Sequence, residues 1–126
     1  MSKKILILKG SPRERGNSAA LAARVADGAS AAGAEVESIY LHGLDIRPCD
    51  GCDLCGEAAG GCVIEDDMQQ LYPKLVEADA IVLASPVYWF TYSAQLKLCI
   101  DRWYGFYKNQ RKEVSGKKYG IILTYG

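Results

Sequence analysis

A chain of 126 residues with 49% hydrophobic content is expected to form one domain, residues 1–126, around one core. Fifteen basic side chains balance fifteen acidic ones, so no net field draws it to nucleic acid or to an anionic membrane. The first apolar run, Ile5 to Leu8, is far too short for a signal or a membrane span, which makes the cytoplasm the expected compartment.

That run lies between Lys4 and Gly10-Ser11-Pro12 and reads as a strand buried on both faces, ending at Lys9 or Gly10. From Ser18 to Ala32 an alanine-rich helix follows, with Leu21, Val25 and Ala29 as its inward stripe and Gly33 at its C-terminal cap. Val36, Ile39 and Leu41 mark a second strand. Residues Gly43 to Gly61 are rich in turn formers and too long for an ordinary connection, the mark of a functional or mobile loop. Asp66-Asp67-Met68 opens a second helix with Leu71, Leu75 and Val76 inward and with Pro73 expected to bend or split it. A third strand, Ala80 to Ala84, is expected to halt at Ser85-Pro86. A third helix carries Leu96, Ile100, Trp103 and Tyr107. Lys108, Arg111, Lys112, Lys117 and Lys118 form a solvated turn before a fourth strand, Tyr119 to Thr124.

Strands alternating with helices imply an α/β fold with a parallel, doubly wound sheet, and the flavodoxin-like order is the natural candidate. Four strands are visible, and no helix follows the last one before Gly126. A C-terminally truncated domain is therefore expected, with exposed apolar sheet surface that a homo-oligomer would bury.

Two loops carry chemistry at the carboxyl edge of such a sheet. In Gly10-Ser11-Pro12-Arg13-Glu14-Arg15-Gly16-Asn17-Ser18, free backbone N–H groups and a helix dipole converge where a phosphate can sit. Ser11, Asn17 and Ser18 add short donors, and Arg13 and Arg15 add charge. The loop lacks both the lysine of a nucleoside-triphosphate loop and the three-glycine dinucleotide spacing, so a phosphate monoester fits better. A plain turn and helix cap is the competing reading. After the third strand, Ser85-Pro86-Val87-Tyr88-Trp89-Phe90-Thr91-Tyr92-Ser93 crowds four aromatic residues together, suiting a flat heteroaromatic ligand, although packing beneath the sheet edge or in an interface would also occupy them.

These two segments, together with Gln95-Leu96-Lys97-x-x-Ile100-Asp101-Arg102, resemble the NADPH-dependent FMN reductase family of flavodoxin-like proteins over nearly the whole chain. The resemblance implies that Ser11, Arg13, Asn17 and Ser18 hold the FMN phosphate and that Pro86, Val87, Tyr88, Trp89 and Phe90 line the isoalloxazine ring. It implies an oxidoreductase moving hydride from NAD(P)H to flavin, with no protein nucleophile, and passing electrons to a small-molecule or protein acceptor. Family members continue beyond the fourth strand, where a flavin-side loop begins; here that point is Gly126.

Four of the five cysteines, Cys49, Cys52, Cys55 and Cys62, follow the spacing C-x2-C-x2-C-x6-C, compact enough to close on one soft centre. The spacing resembles that of the iron-sulfur flavoproteins, which carry a 4Fe-4S cluster beside FMN. Reduced loop cysteines and a zinc site are the alternatives, the triple run being unlike paired zinc knuckles. Cys99 reads as a core residue, and His42 has no partner in sequence that would give it a role. Beside the oxidoreductase stand two further readings: an FMN and 4Fe-4S electron carrier, and a non-catalytic subunit whose open sheet edge binds a partner chain.

Overall fold

The structure, a computed structural model, describes residues 2–58, 61–108 and 114–125. Arg111, Lys112 and Gly126, named above, lie outside them. The elements in chain order are β1 (Lys4–Lys9), α1 (Asn17–Ala31), β2 (Glu35–Tyr40), α2 (Met68–Glu77), β3 (Ala80–Tyr88), β4 (Thr91–Tyr92), α3 (Ala94–Asp101), α4 (Tyr104–Lys108) and β5 (Lys118–Thr124). β2, β1, β3 and β5 lie side by side, all parallel, and β4 folds back on the end of β3 as a short antiparallel hairpin. The sheet therefore has five strands where the sequence suggested four, and the doubly wound order stands.

Alternation along the central strands sorts the core into two layers. Leu6, Leu8 and Ile81 point to one face, where Met68, Leu71, Leu75, Leu96, Cys99 and Phe106 cover them from α2, α3 and α4. Ile7, Val82 and Ala84 point to the other, against Ala22 of α1. The buried side of α1 is Ser18, Ala19 and Ala22, whereas Leu21 and Val25 are exposed. Periodicity alone favoured the larger side chains; the helix instead lies on the sheet through small ones, which permit close approach. Its C-terminus closes as expected, with Gly33 at φ +93° and bonds from Gly33 N to Ser30 O and Ala34 N to Ala29 O.

Three other expectations change. Pro73 lies inside an unbroken α2. β3 runs through Ser85-Pro86 to Tyr88 because β1 pairs with it only as far as Ala84, so the missing N–H of Pro86 removes no ladder bond on that side. The third helix is two: α3 ends at Asp101, α4 begins at Tyr104, and Tyr107 is exposed while Phe106 is buried. On β5, Tyr119, Ile121 and Leu123 form an exposed apolar row. Among the described residues no helix is long and apolar enough to cross a membrane.

Candidate functional site

The segment between β1 and α1 is fixed by short local bonds. Gly10 N donates to Ala84 O at 2.7 Å, and the Ser93 hydroxyl donates to Gly10 O at 2.6 Å. Ser93 in turn caps α3 and takes its own backbone bond to Ser85 Oγ at 2.9 Å. A Cβ on Gly10 would meet Ser93 Oγ at 2.7 Å, so only glycine fits between β1 and α3. Beyond Gly10, Ser11 Oγ accepts from Arg13 N at 3.0 Å, Gly16 N donates to Arg13 O, and Tyr40 of β2 donates to Pro12 O at 2.7 Å. No side chain among the described residues caps α1, leaving the amides of its first turn without a capping acceptor.

Against this loop lies a cavity of about 640 Å³, within the range of small-molecule sites. It is lined by Ser11, Arg13, Arg15, Gly16, Asn17 and Ser18 from the loop and by Pro86, Val87 and Tyr88 from the end of β3. Thr124 and Tyr125, at the end of β5, complete the wall. These two were missed in sequence, where nothing but strand order could have brought them beside the first loop. Ser11 and Ser18 are buried at its floor, and Arg13 and Asn17 are exposed at its rim.

Trp89 and Phe90 are not among the residues lining this cavity. They form the tip of the β3–β4 hairpin, 89% and 88% exposed, with their rings in edge contact at 5.3 Å. Their φ values of +46° and +77° put both central residues of the turn in the left-handed region, the pattern of a type I′ turn that normally takes Asn-Gly. Bulky side chains make that turn strained.

The cysteine loop lies at the same edge of the sheet and shapes a second cavity, of about 410 Å³. Cys49, Cys52, Cys55 and Cys62 all line it, with Asp53, Ile64 and Tyr104. No three potential ligands among the described residues converge on a point for a single metal ion, so what the four thiols share is a cavity wall. Burial pushes the Cys55 thiol up, a backbone hydrogen bond opposes it, and the neighbouring sulfurs of Cys62, Cys52 and Cys49 add to the rise. Cys99 sits apart, fully buried, its thiol pushed up by burial to about 11. His42 meets Gln95, Nδ1 to Nε2 at 3.1 Å, and stands edge-on to the Tyr40 ring at 6.0 Å.

Far from loose, this loop is tied from α2, α3 and α4. Arg102, at the C-cap of α3, forms a buried ion pair with Asp66, Nη1 to Oδ2 2.7 Å and Nη2 to Oδ1 3.1 Å, with side chains 1% and 0% exposed. Burial alone would raise the Asp66 carboxyl, but the Arg102 bond and the amides of Arg47 and Met68 hold it below the usual range. Gln69 donates to Cys62 O and Ile64 O, and Tyr104 and Lys108 reach Asp53. A Cβ on Gly105 would fall 2.0 Å from Gly61 O, so α4 meets the loop backbone to backbone.

Comparison with known proteins bears on the family and the fold. An iron-sulfur flavoprotein of Methanocaldococcus jannaschii is 41% identical over 99 residues, 79% of this chain and 51% of that protein. An iron-sulfur flavoprotein of Archaeoglobus fulgidus is 38% identical over 116 residues, 92% of this chain and 51% of its own length. The chain thus spans about half the length of the curated relatives it matches. The NAD(P)H:quinone oxidoreductase from Methanothermobacter marburgensis, at a TM-score of 0.80 and 23% identity over 100% of this chain and 65% of that one, shares the fold. With the model of the NADPH-dependent FMN reductases matching residues 3–126, the chain belongs to that family.

Proposed function

We propose that the chain binds FMN in the cavity between the first loop and the end of β3, and serves as an NAD(P)H-dependent oxidoreductase. The observation that carries this reading is the meeting of an uncapped helix N-terminus, two buried serines and an aromatic strand end on one cavity. When bound, FMN supplies a ring that takes hydride from a reduced nicotinamide and yields electrons to a small-molecule or protein acceptor. Ser11, Asn17, Ser18 and the first-turn amides of α1 hold the phosphate, and Arg13 and Arg15 offset its charge. Pro86, Val87 and Tyr88 flank the ring, and Trp89 and Phe90 overhang it from the hairpin tip. The row Tyr119, Ile121 and Leu123 is the surface a homo-oligomer would cover.

Titration of the purified protein with FMN, followed by flavin fluorescence, tests the site. Arg13→Ala with Arg15→Ala is expected to weaken binding about tenfold or more and to flatten its salt dependence. Protein that takes up no FMN refutes the reading.

A second reading rests on one further observation, the cavity walled by all four loop cysteines. It adds an iron-sulfur cluster, 4Fe-4S as the resemblance to the iron-sulfur flavoproteins implies, held by Cys49, Cys52, Cys55 and Cys62. Anaerobic reconstitution followed by iron and sulfide analysis decides it, and absence of both rules it out.

A further inference from the structure

Arg102 is the largest fully buried side chain among the described residues, and neither FMN nor the cysteines require it by type. Its guanidinium reaches both ends of the cysteine loop at once. On the entering side Nη1 donates to Arg47 O at 2.9 Å, two residues before Cys49. On the leaving side the group takes both oxygens of Asp66 and reaches towards Ile64 O at 3.5 Å, two residues after Cys62. Asp66 completes the closure, accepting from Arg47 N at 2.8 Å and from Met68 N at 3.0 Å. One donor group, Nε, is buried with no hydrogen-bond partner among the described residues. An orphaned charged donor is costly, and its presence asks for an acceptor.

We propose that Arg102 is the positioning residue of the cysteine centre: it clamps the loop shut from both ends and presents a cationic donor to the sulfur of Cys62 when that sulfur is an iron-bound thiolate. The proposal rests on the cluster reading above. The Cys62 sulfur accepts from Ile64 N at 3.5 Å, and the carbonyl of the same residue faces Arg102 Nη2 at 3.5 Å, which brings the sulfur and the guanidinium to one corner of the loop. Tyr72 fixes the backbone at this corner, its hydroxyl donating to Arg102 O at 2.7 Å. A thiolate accepts hydrogen bonds far better than a thiol, so a Cys62 thiolate would offer this corner a strong acceptor for a guanidinium donor. A cation at this point also favours the reduced, more negative centre and so raises its reduction potential.

The test compares wild type with Arg102→Lys and Arg102→Gln after anaerobic reconstitution with ferrous iron and sulfide. Both variants are expected to lose iron to a chelator about tenfold or more faster than wild type. The potential should fall in the order wild type, Lys, Gln, because lysine keeps the charge without the planar fork. Equal retention and equal potentials overturn the assignment. Since Arg102→Gln leaves Asp66 buried beside a neutral group and can unfold, wild type labelled with 15N-arginine supplies an answer without substitution. Pulsed electron paramagnetic resonance of the reduced protein should show a 15N coupling, and its absence refutes the donor role. Wild type that takes up neither iron nor sulfide defeats the cluster reading itself. The clamp is then read in the metal-free protein, where hydrogen exchange across the cysteine loop should quicken in Arg102→Lys; unchanged exchange refutes it.

Discussion

The two cavities at the carboxyl edge of the sheet are built on opposite principles. The first loop is held by backbone bonds and serine hydroxyls at the junction of β1, β3 and α3. The cysteine loop borrows charged and polar side chains from α2, α3 and α4, with an arginine 36 residues from its carboxylate partner. Short polar groups on a packed strand end give a site whose shape is rigid before a ligand arrives. A loop whose closure includes a buried ion pair is most vulnerable there, because a buried charge that loses its partner keeps its desolvation cost.

The largest expected effect follows from that asymmetry. Asp66→Ala should cost about 3–5 kcal/mol in urea unfolding, because it strands the Arg102 charge, whereas Ser11→Ala should cost only about 1 kcal/mol. Equal costs would erase the contrast. The same pair gives a pH dependence: with the Asp66 carboxyl held below its usual range, its contribution is complete above the unfolded value of about 3.9. It is lost as pH falls through the lower folded value, so acid titration should loosen the cysteine loop only in strongly acidic solution.

A glycine pair sharpens the comparison at intermediate size. Gly105→Ala and Gly10→Ala each force a Cβ into occupied space, the first against Gly61 O and the second against Ser93 Oγ, at about 1–3 kcal/mol apiece. Gly10→Ala should weaken FMN binding with little change in iron uptake, and Gly105→Ala should do the reverse. Parallel losses in both assays would mean that the cavities are not separately built. The smallest effect is of opposite sign. Phe90→Gly relieves a left-handed φ at the hairpin tip and should stabilise the protein by about 1 kcal/mol in thermal unfolding. If FMN binding survives that change intact, the strained aromatic turn is no part of the flavin site.

How far these regions were legible in sequence follows the same division. The β1–α1 junction is spelled out within nine consecutive residues, Gly10 to Ser18, so turn formers and a helix start suffice to find it. The end of β3 was misjudged because proline stops a strand only where its N–H is needed, and that depends on where β1 ends in space. The Trp89-Phe90 turn was hidden because its backbone is unusual for its residues; no Asn-Gly pair announced it. Arg102 stood in the quoted Asp101-Arg102 pair without a role. A signal was available: it falls three residues after Cys99 and four before Phe106, on the buried side of the α3–α4 segment, where a charge needs a partner. Which carboxylate that was, only the fold could say.

The helix α3 begins at the serine that grips the first loop and ends at the arginine that grips the second. Its eight residues amount to about 12 Å at the usual rise. It therefore acts as a ruler, fixing the separation of the two loops independently of how either is decorated. A one-residue insertion in α3 would leave each loop its own residues while swinging Arg102 about 100° around the helix axis. The relative placement of the two cavities would then depend on a register set in a stretch of chain that lines neither of them.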